Sequence, residues 1–129
     1  MTEAKYIWMD GKFVDWFDAK IHVLSHTLHY GNGAIEGTKA YKTHDGRCAI
    51  FKLQEHTKRL LNSSKMTLLD VPFSEDELNK AQIELLQKNE LFEGAYIRPL
   101  VYLGYGVMGL YHKDAPVNVS VSAWEWGAY

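Results

Sequence analysis

The run from Ala95 to Leu103 is the longest strand candidate in the chain, and the rest must fold around it. With a period of two, Tyr96, Arg98, Leu100 and Tyr102 share one face, while Ala95, Ile97, Pro99, Val101 and Leu103 share the other. Pro99 has no N–H to give to a ladder, which predicts an edge position or a bulge. Arg98 sits between two tyrosines and beside a leucine, so its guanidinium is partly desolvated whichever way the sheet packs. No acidic residue shares its strand face. A carboxylate ligand held by the arginine fork and a tyrosine hydroxyl meets that need. A salt bridge across strands or between subunits is the alternative.

The remaining pattern supplies partners for this strand. Tyr6–Met9 and Lys12–Val14 read as two short strands around Asp10-Gly11, and Ile21–Leu24 as a third. Ser25 reads as the N-cap of one helical turn through Tyr30, stopped by Gly31. Thr38–Thr43 and Arg47–Phe51 read as a hairpin around His44-Asp45-Gly46. From Leu53 the period changes: Leu53, His56, Thr57, Leu60, Leu61 and Ser64 fall on one helical face. A capping box at Ser74–Glu77 starts a second helix carrying Leu78, Ala81, Leu85 and Leu86, which ends near Asn89. Val117–Trp124 alternates as a last strand. The expected fold is α+β, a mostly antiparallel sheet with two amphipathic helices.

Within Leu28–Gly37, three of the ten glycines fall within seven positions, alongside Tyr30 and Glu36. Glycines this dense mark backbone that turns sharply or lies close to something. His22, His26 and His29, spaced four and three apart, would line up only on a continuous helix. Val23-Leu24-Ser25 reads poorly as helix, so capping and core hydrogen bonds suit them better than zinc. Arg59 reads as one surface charge among several on the first helix.

Composition narrows the classes. At 129 residues the chain is one domain, and 47% hydrophobic with 23% charged residues is ordinary globular composition. A net charge of −2 without a basic block argues against a nucleic-acid partner. The single cysteine, Cys48, fits a reducing compartment. No apolar run reaches signal-peptide or bilayer length, so the expectation is a cytoplasmic protein without a membrane partner.

Seven blocks occur together in order: Tyr6-Ile7-Trp8, His22–His26, Leu28–Gly31, Glu36-Gly37, Glu55-His56 with Arg59-Leu60, Ala95–Leu100 and Trp126–Tyr129. In this order they resemble the branched-chain amino acid aminotransferases, which are fold-type IV pyridoxal-phosphate enzymes. The resemblance spans essentially the whole chain. It implies that residues 1–129 form the small N-terminal domain, with pyridoxal 5'-phosphate held between it and a larger domain.

The resemblance also implies roles. Arg59 matches the position that binds the cofactor phosphate. Tyr96 and Arg98 match residues that receive substrate carboxylates, and Gly37 a pocket-lining backbone position. Tyr30 and Leu110 match residues that enter the neighbouring subunit's site in a dimer. Tyr129 matches an aromatic at the start of the interdomain connection. Ile35 stands where many members carry phenylalanine. The family's Schiff-base lysine lies downstream of Tyr129, and none of the lysines here aligns with it, so no catalytic residue is expected within this chain. The implied reaction of the complete enzyme is amino transfer between leucine, isoleucine or valine and 2-oxoglutarate, with this domain inactive by itself. A D-amino acid aminotransferase, an aminodeoxychorismate lyase, or a stand-alone metal-binding or interaction module are the alternatives.

Overall fold

In a computed structural model that describes residues 1–126, the sheet runs β1 (Tyr6–Met9), β2 (Lys12–Asp15), β3 (Gly33–Ile35), β4 (Thr38–Lys42), β5 (Cys48–Ile50), β6 (Gly94–Leu103) and β7 (Val117–Trp124). Three α-helices accompany them: a single turn, α1 (His26–Tyr30), and the long α2 (Leu53–Met66) and α3 (Glu75–Lys88). The strand order is β2-β1-β7-β6-β4-β5, with β3 also paired to β6, and every pairing is antiparallel. The α+β expectation holds. Among the described residues no helix is long and apolar enough to cross a membrane.

The central strand divides the molecule into two unlike faces. Ala95, Ile97, Val101 and Leu103 of β6 join Val119, Val121 and Ala123 of β7 in a buried layer. Against it pack Leu60 from α2 and Leu78, Ala81, Leu85 and Leu86 from α3. Trp8 closes the layer, its ring edge-on to Phe73 at 5.0 Å. The long helices cover this face only. Tyr96, Arg98 and Leu100, with their cross-strand partners Trp124, Ser122 and Ser120, line the opposite face and stay half-exposed.

Both long helices have local causes. Leu53, Thr57, Leu60 and Ser64 recur at helical spacing and are buried on α2. The Ser74 hydroxyl accepts from the Glu77 amide at 3.2 Å, and the Glu77 carboxylate accepts from the Ser74 amide at 2.7 Å. The capping box is therefore complete, as its spacing predicts. Between the helices the Thr57 hydroxyl donates to Asn79 at 2.6 Å and accepts from Gln82 at 3.1 Å. Asn89, at the end of α3, accepts from the Lys5 and Tyr6 amides and donates to the Tyr6 carbonyl. That side chain ties the start of β1 to the helix layer.

Three local expectations are corrected. Pro99 lies in the centre of the sheet, not at an edge. Its carbonyl accepts from the Glu36 amide, so its nitrogen also faces the β3–β4 side. There the pairing passes from β3, opposite Leu100–Tyr102, to β4, opposite Gly94–Ile97. Both pairings keep one register, so Pro99 lies opposite Glu36; it accepts from the Glu36 amide but cannot return a bond to the Glu36 carbonyl, and this interrupts the ladder between β3 and β4. Ile21–Leu24 is not a strand: the Ser25 amide donates to the His22 carbonyl, and the His22 ring accepts from the Leu24 amide, closing a turn. Ser25 does precede α1, but its hydroxyl donates to the His22 carbonyl and does not cap the helix.

Candidate active site

β3 and β4 keep one register against β6, so the three consecutive residues at their junction alternate between the two sides of the sheet. Ile35, opposite Leu100, faces the open side and is exposed. Glu36 points the other way, toward α2, and only 6% of its surface is exposed. Gly37 faces the open side again, beneath the Tyr96 hydroxyl. A Cβ on Gly37 would lie 2.1 Å from that oxygen, so only glycine fits this close approach.

On the open face, Arg98 Nη2 donates to the Tyr96 hydroxyl at 2.7 Å, and the guanidinium lies 5.2 Å from the Tyr96 ring centre. Tyr96 is held by Trp124 and Trp126, with ring centres 5.2 and 4.6 Å away. Among the described residues no carboxylate pairs with Arg98, and its Nε is buried without a hydrogen-bond partner. An unpaired buried donor on a cation is costly. A salt bridge across strands is not formed by Arg98 among the described residues. Tyr102, on the same face, is pushed up to about 12 by burial and secondarily by the Asp10 carboxylate, so it stays a neutral phenol.

On the helix side, Glu36 accepts from Arg59 and His56. Arg59 Nε donates to Oε1, Arg59 Nη2 to Oε2 at 2.8 Å, and His56 Nδ1 to Oε2 at 2.8 Å. Burial pushes the Glu36 carboxyl up, but hydrogen bonds from Arg59 and His56 outweigh it and leave the group below the usual carboxylate range. The Arg59 side chain remains 66% exposed. It keeps its Nη1 end free among the described residues, a donor pair suited to a phosphate ester. Arg59 is therefore more than one solvated charge among several. The sequence alone does not mark Glu36 and His56 as site residues; the signal it carries is a carboxylate inside the glycine cluster and a histidine one turn before Arg59.

A third group forms around Gly109. The Tyr30 hydroxyl accepts from the Gly109 amide at 3.2 Å, and His26 Nε2 donates to the Gly109 carbonyl at 2.7 Å. α1 is stopped by Gly31, whose φ of 74° is open to glycine without penalty. The Thr27 hydroxyl accepts from the Leu103 amide and so fixes α1 to the end of β6. Leu110, next to Gly109, is 86% exposed. Tyr30 and Leu110 thus share one loop cluster, apart from the Tyr96–Arg98 pair, and both project outward. Tyr129 lies outside the described residues. The three histidines diverge: His22 bonds Leu24, His26 bonds Gly109, and His29 donates to the Val23 carbonyl. Among the described residues no group of three or more potential ligands forms.

Residues 33–129 match the family model described as amino-transferase class IV. The chain belongs to the class IV aminotransferases. Among curated class IV relatives, the branched-chain-amino-acid aminotransferase of Pseudomonas aeruginosa is 50% identical over 123 residues, which cover 95% of this chain and 39% of that protein. The solved branched-chain aminotransferase of Thermoproteus uzoniensis with norvaline superposes with a TM-score of 0.91 at 37% identity, covering 97% of this chain and 42% of that one. The T.th. branched-chain amino acid aminotransferase, complexed with N-(5'-phosphopyridoxyl)-L-glutamate, gives a TM-score of 0.90 at 42% identity, covering 98% and 42%. This class IV chain spans about two fifths of the length of the relatives it matches.

Proposed function

We propose that this chain is the substrate-side domain of a pyridoxal-phosphate-dependent transaminase. Its substrates would be branched-chain L-amino acids and 2-oxoglutarate. The observation that carries the reading is Arg98: a guanidinium with a buried Nε that, among the described residues, has no partner, while its Nη2 bonds a tyrosine hydroxyl on an open sheet face. The likeness to branched-chain aminotransferases over nearly the whole chain supports it, as does the phosphopyridoxyl-glutamate bound by one of them. Those relatives favour this reading over a D-amino acid aminotransferase, a lyase or a metal-binding module.

In this reading Arg59 holds the cofactor phosphate through its free terminal edge. When bound, the cofactor carries the amino group and acts as the electron sink for the reacting carbon. Tyr96 and Arg98 receive substrate carboxylates, bare backbone at Gly37 lets the Tyr96 hydroxyl sit close against the pocket floor, and Ile35 and Leu100 offer apolar wall. Between carboxylate-bearing substrates, Arg98 stays bonded to Tyr96, so a branched side chain does not meet a free charge. The lysine that moves the α-proton comes from a further, larger domain. Tyr30 and Leu110 project toward a neighbouring subunit in a dimer, Tyr129 leads into the connection between domains, and the enzyme works in the cytoplasm.

The test compares two polypeptides. The complete protein with pyridoxal phosphate, leucine and 2-oxoglutarate is expected to form glutamate. Residues 1–129 alone are expected to form no more than free cofactor does. Turnover by the isolated 129 residues clearly above that background contradicts the assignment of the chemistry to another domain.

A further inference from the structure

The Arg59 guanidinium has two usable edges, and the structure commits one of them. Its side edge, Nε with one Nη2 proton, lies against both oxygens of Glu36. Nη2 also passes 3.4 Å from His56 Nδ1, but that nitrogen donates to Glu36 and so has no lone pair to offer. The terminal edge, Nη1 with the second Nη2 proton, is left without an acceptor among the described residues. Glu36 is itself fixed. Its side chain is buried, its amide bonds the Pro99 carbonyl of the central strand, and His56 donates to Oε2 from one turn earlier on α2. An arginine with 66% of its side chain exposed would otherwise sample many rotamers. Here the carboxylate removes that freedom and aims the unused edge.

We propose that Glu36, with His56 behind it, is a positioning clamp that presents the terminal edge of Arg59 to the phosphate of the cofactor. The clamp rests on the pyridoxal-phosphate reading above and adds two residues to it. Glu36 and His56 do not touch the phosphate. They act through Arg59, so their loss lowers affinity for the phosphate-bearing cofactor and not for its ring.

The test measures equilibrium binding of pyridoxal 5'-phosphate and of pyridoxal, which lacks the phosphate, to the complete apoprotein by absorbance titration. Glu36→Gln keeps the volume but replaces one acceptor oxygen with a donor that faces other donors. We expect it to weaken pyridoxal phosphate about tenfold and pyridoxal by less than about twofold. Glu36→Asp, which keeps the charge, should recover part of the loss, and His56→Asn should show a smaller loss with the same selectivity. If Glu36→Gln lacks a cooperative thermal transition, the His56→Asn pair of affinities decides. Equal losses for both ligands, unchanged affinity, or tighter pyridoxal phosphate binding would overturn the clamp. A wild-type protein that binds the two ligands equally would instead overturn the cofactor reading on which the clamp rests.

Discussion

Gly37 has no side chain because the Tyr96 hydroxyl already occupies the space a Cβ would need. Tyr96 cannot retreat freely, since two tryptophan rings pack against it. Gly37→Ala should therefore push the hydroxyl off Arg98 and cost about 1–3 kcal/mol of stability, read from the shift of a urea transition. An unshifted transition would mean the contact relaxes without strain. Glu36 carries a second consequence, for acid stability. Its folded pKa lies below the unfolded value, so its contribution is complete above the ordinary carboxylate pKa of about 4.3 and is lost as pH falls through the lower folded value. From about pH 5 downward the wild type should lose stability faster than Glu36→Gln, which has no carboxylate to protonate there. Parallel pH profiles would contradict this.

The elements that the sequence made legible are those whose stabilisation is local or periodic. α3 announces itself through Ser74 and Glu77, and its inward leucines recur at helical spacing. Ser74→Ala should remove about 1 kcal/mol, measured by chemical denaturation, with the sheet intact. A loss near zero would mean that α3 is held by packing alone. β3 was hidden because three residues inside a glycine cluster show no alternation, and their pairing partner lies more than sixty residues away in β6. The apolar Ile21–Leu24 imitates a strand, but its hydrogen bonds close on the His22 turn. Pro99 misled for a different reason: a proline removes only the one bond its own nitrogen would make, and a strand paired on both sides by distant residues absorbs that single loss. The Glu36–Arg59 pair spans 23 residues and exists only because α2 lies over the β3–β4 break. Arg98 was legible because strand alternation alone placed it between tyrosines without an acidic partner.

At the scale of the whole molecule, one sheet face is a finished core and the other is an open surface of aromatic, hydroxyl and guanidinium groups. The proposed enzyme must accept in turn a branched apolar side chain and one ending in a second carboxylate. An apolar pocket rejects the carboxylate, and an unpaired charge rejects the branched chain. In the proposed enzyme Arg98 would answer both demands by leaving the Tyr96 hydroxyl, which it bonds here, for a distal carboxylate. A charge-assisted hydrogen bond contributes about 1.5–3 kcal/mol, so in the complete enzyme Arg98→Ala should slow the 2-oxoglutarate half-reaction about ten- to a hundredfold. The leucine half-reaction, whose only carboxylate relies on Tyr96 and groups elsewhere, should suffer less. Single-turnover spectra of each half-reaction with Arg98→Ala measure this directly. The expected loss is concentrated on 2-oxoglutarate, and equal losses for both substrates would contradict this role for Arg98.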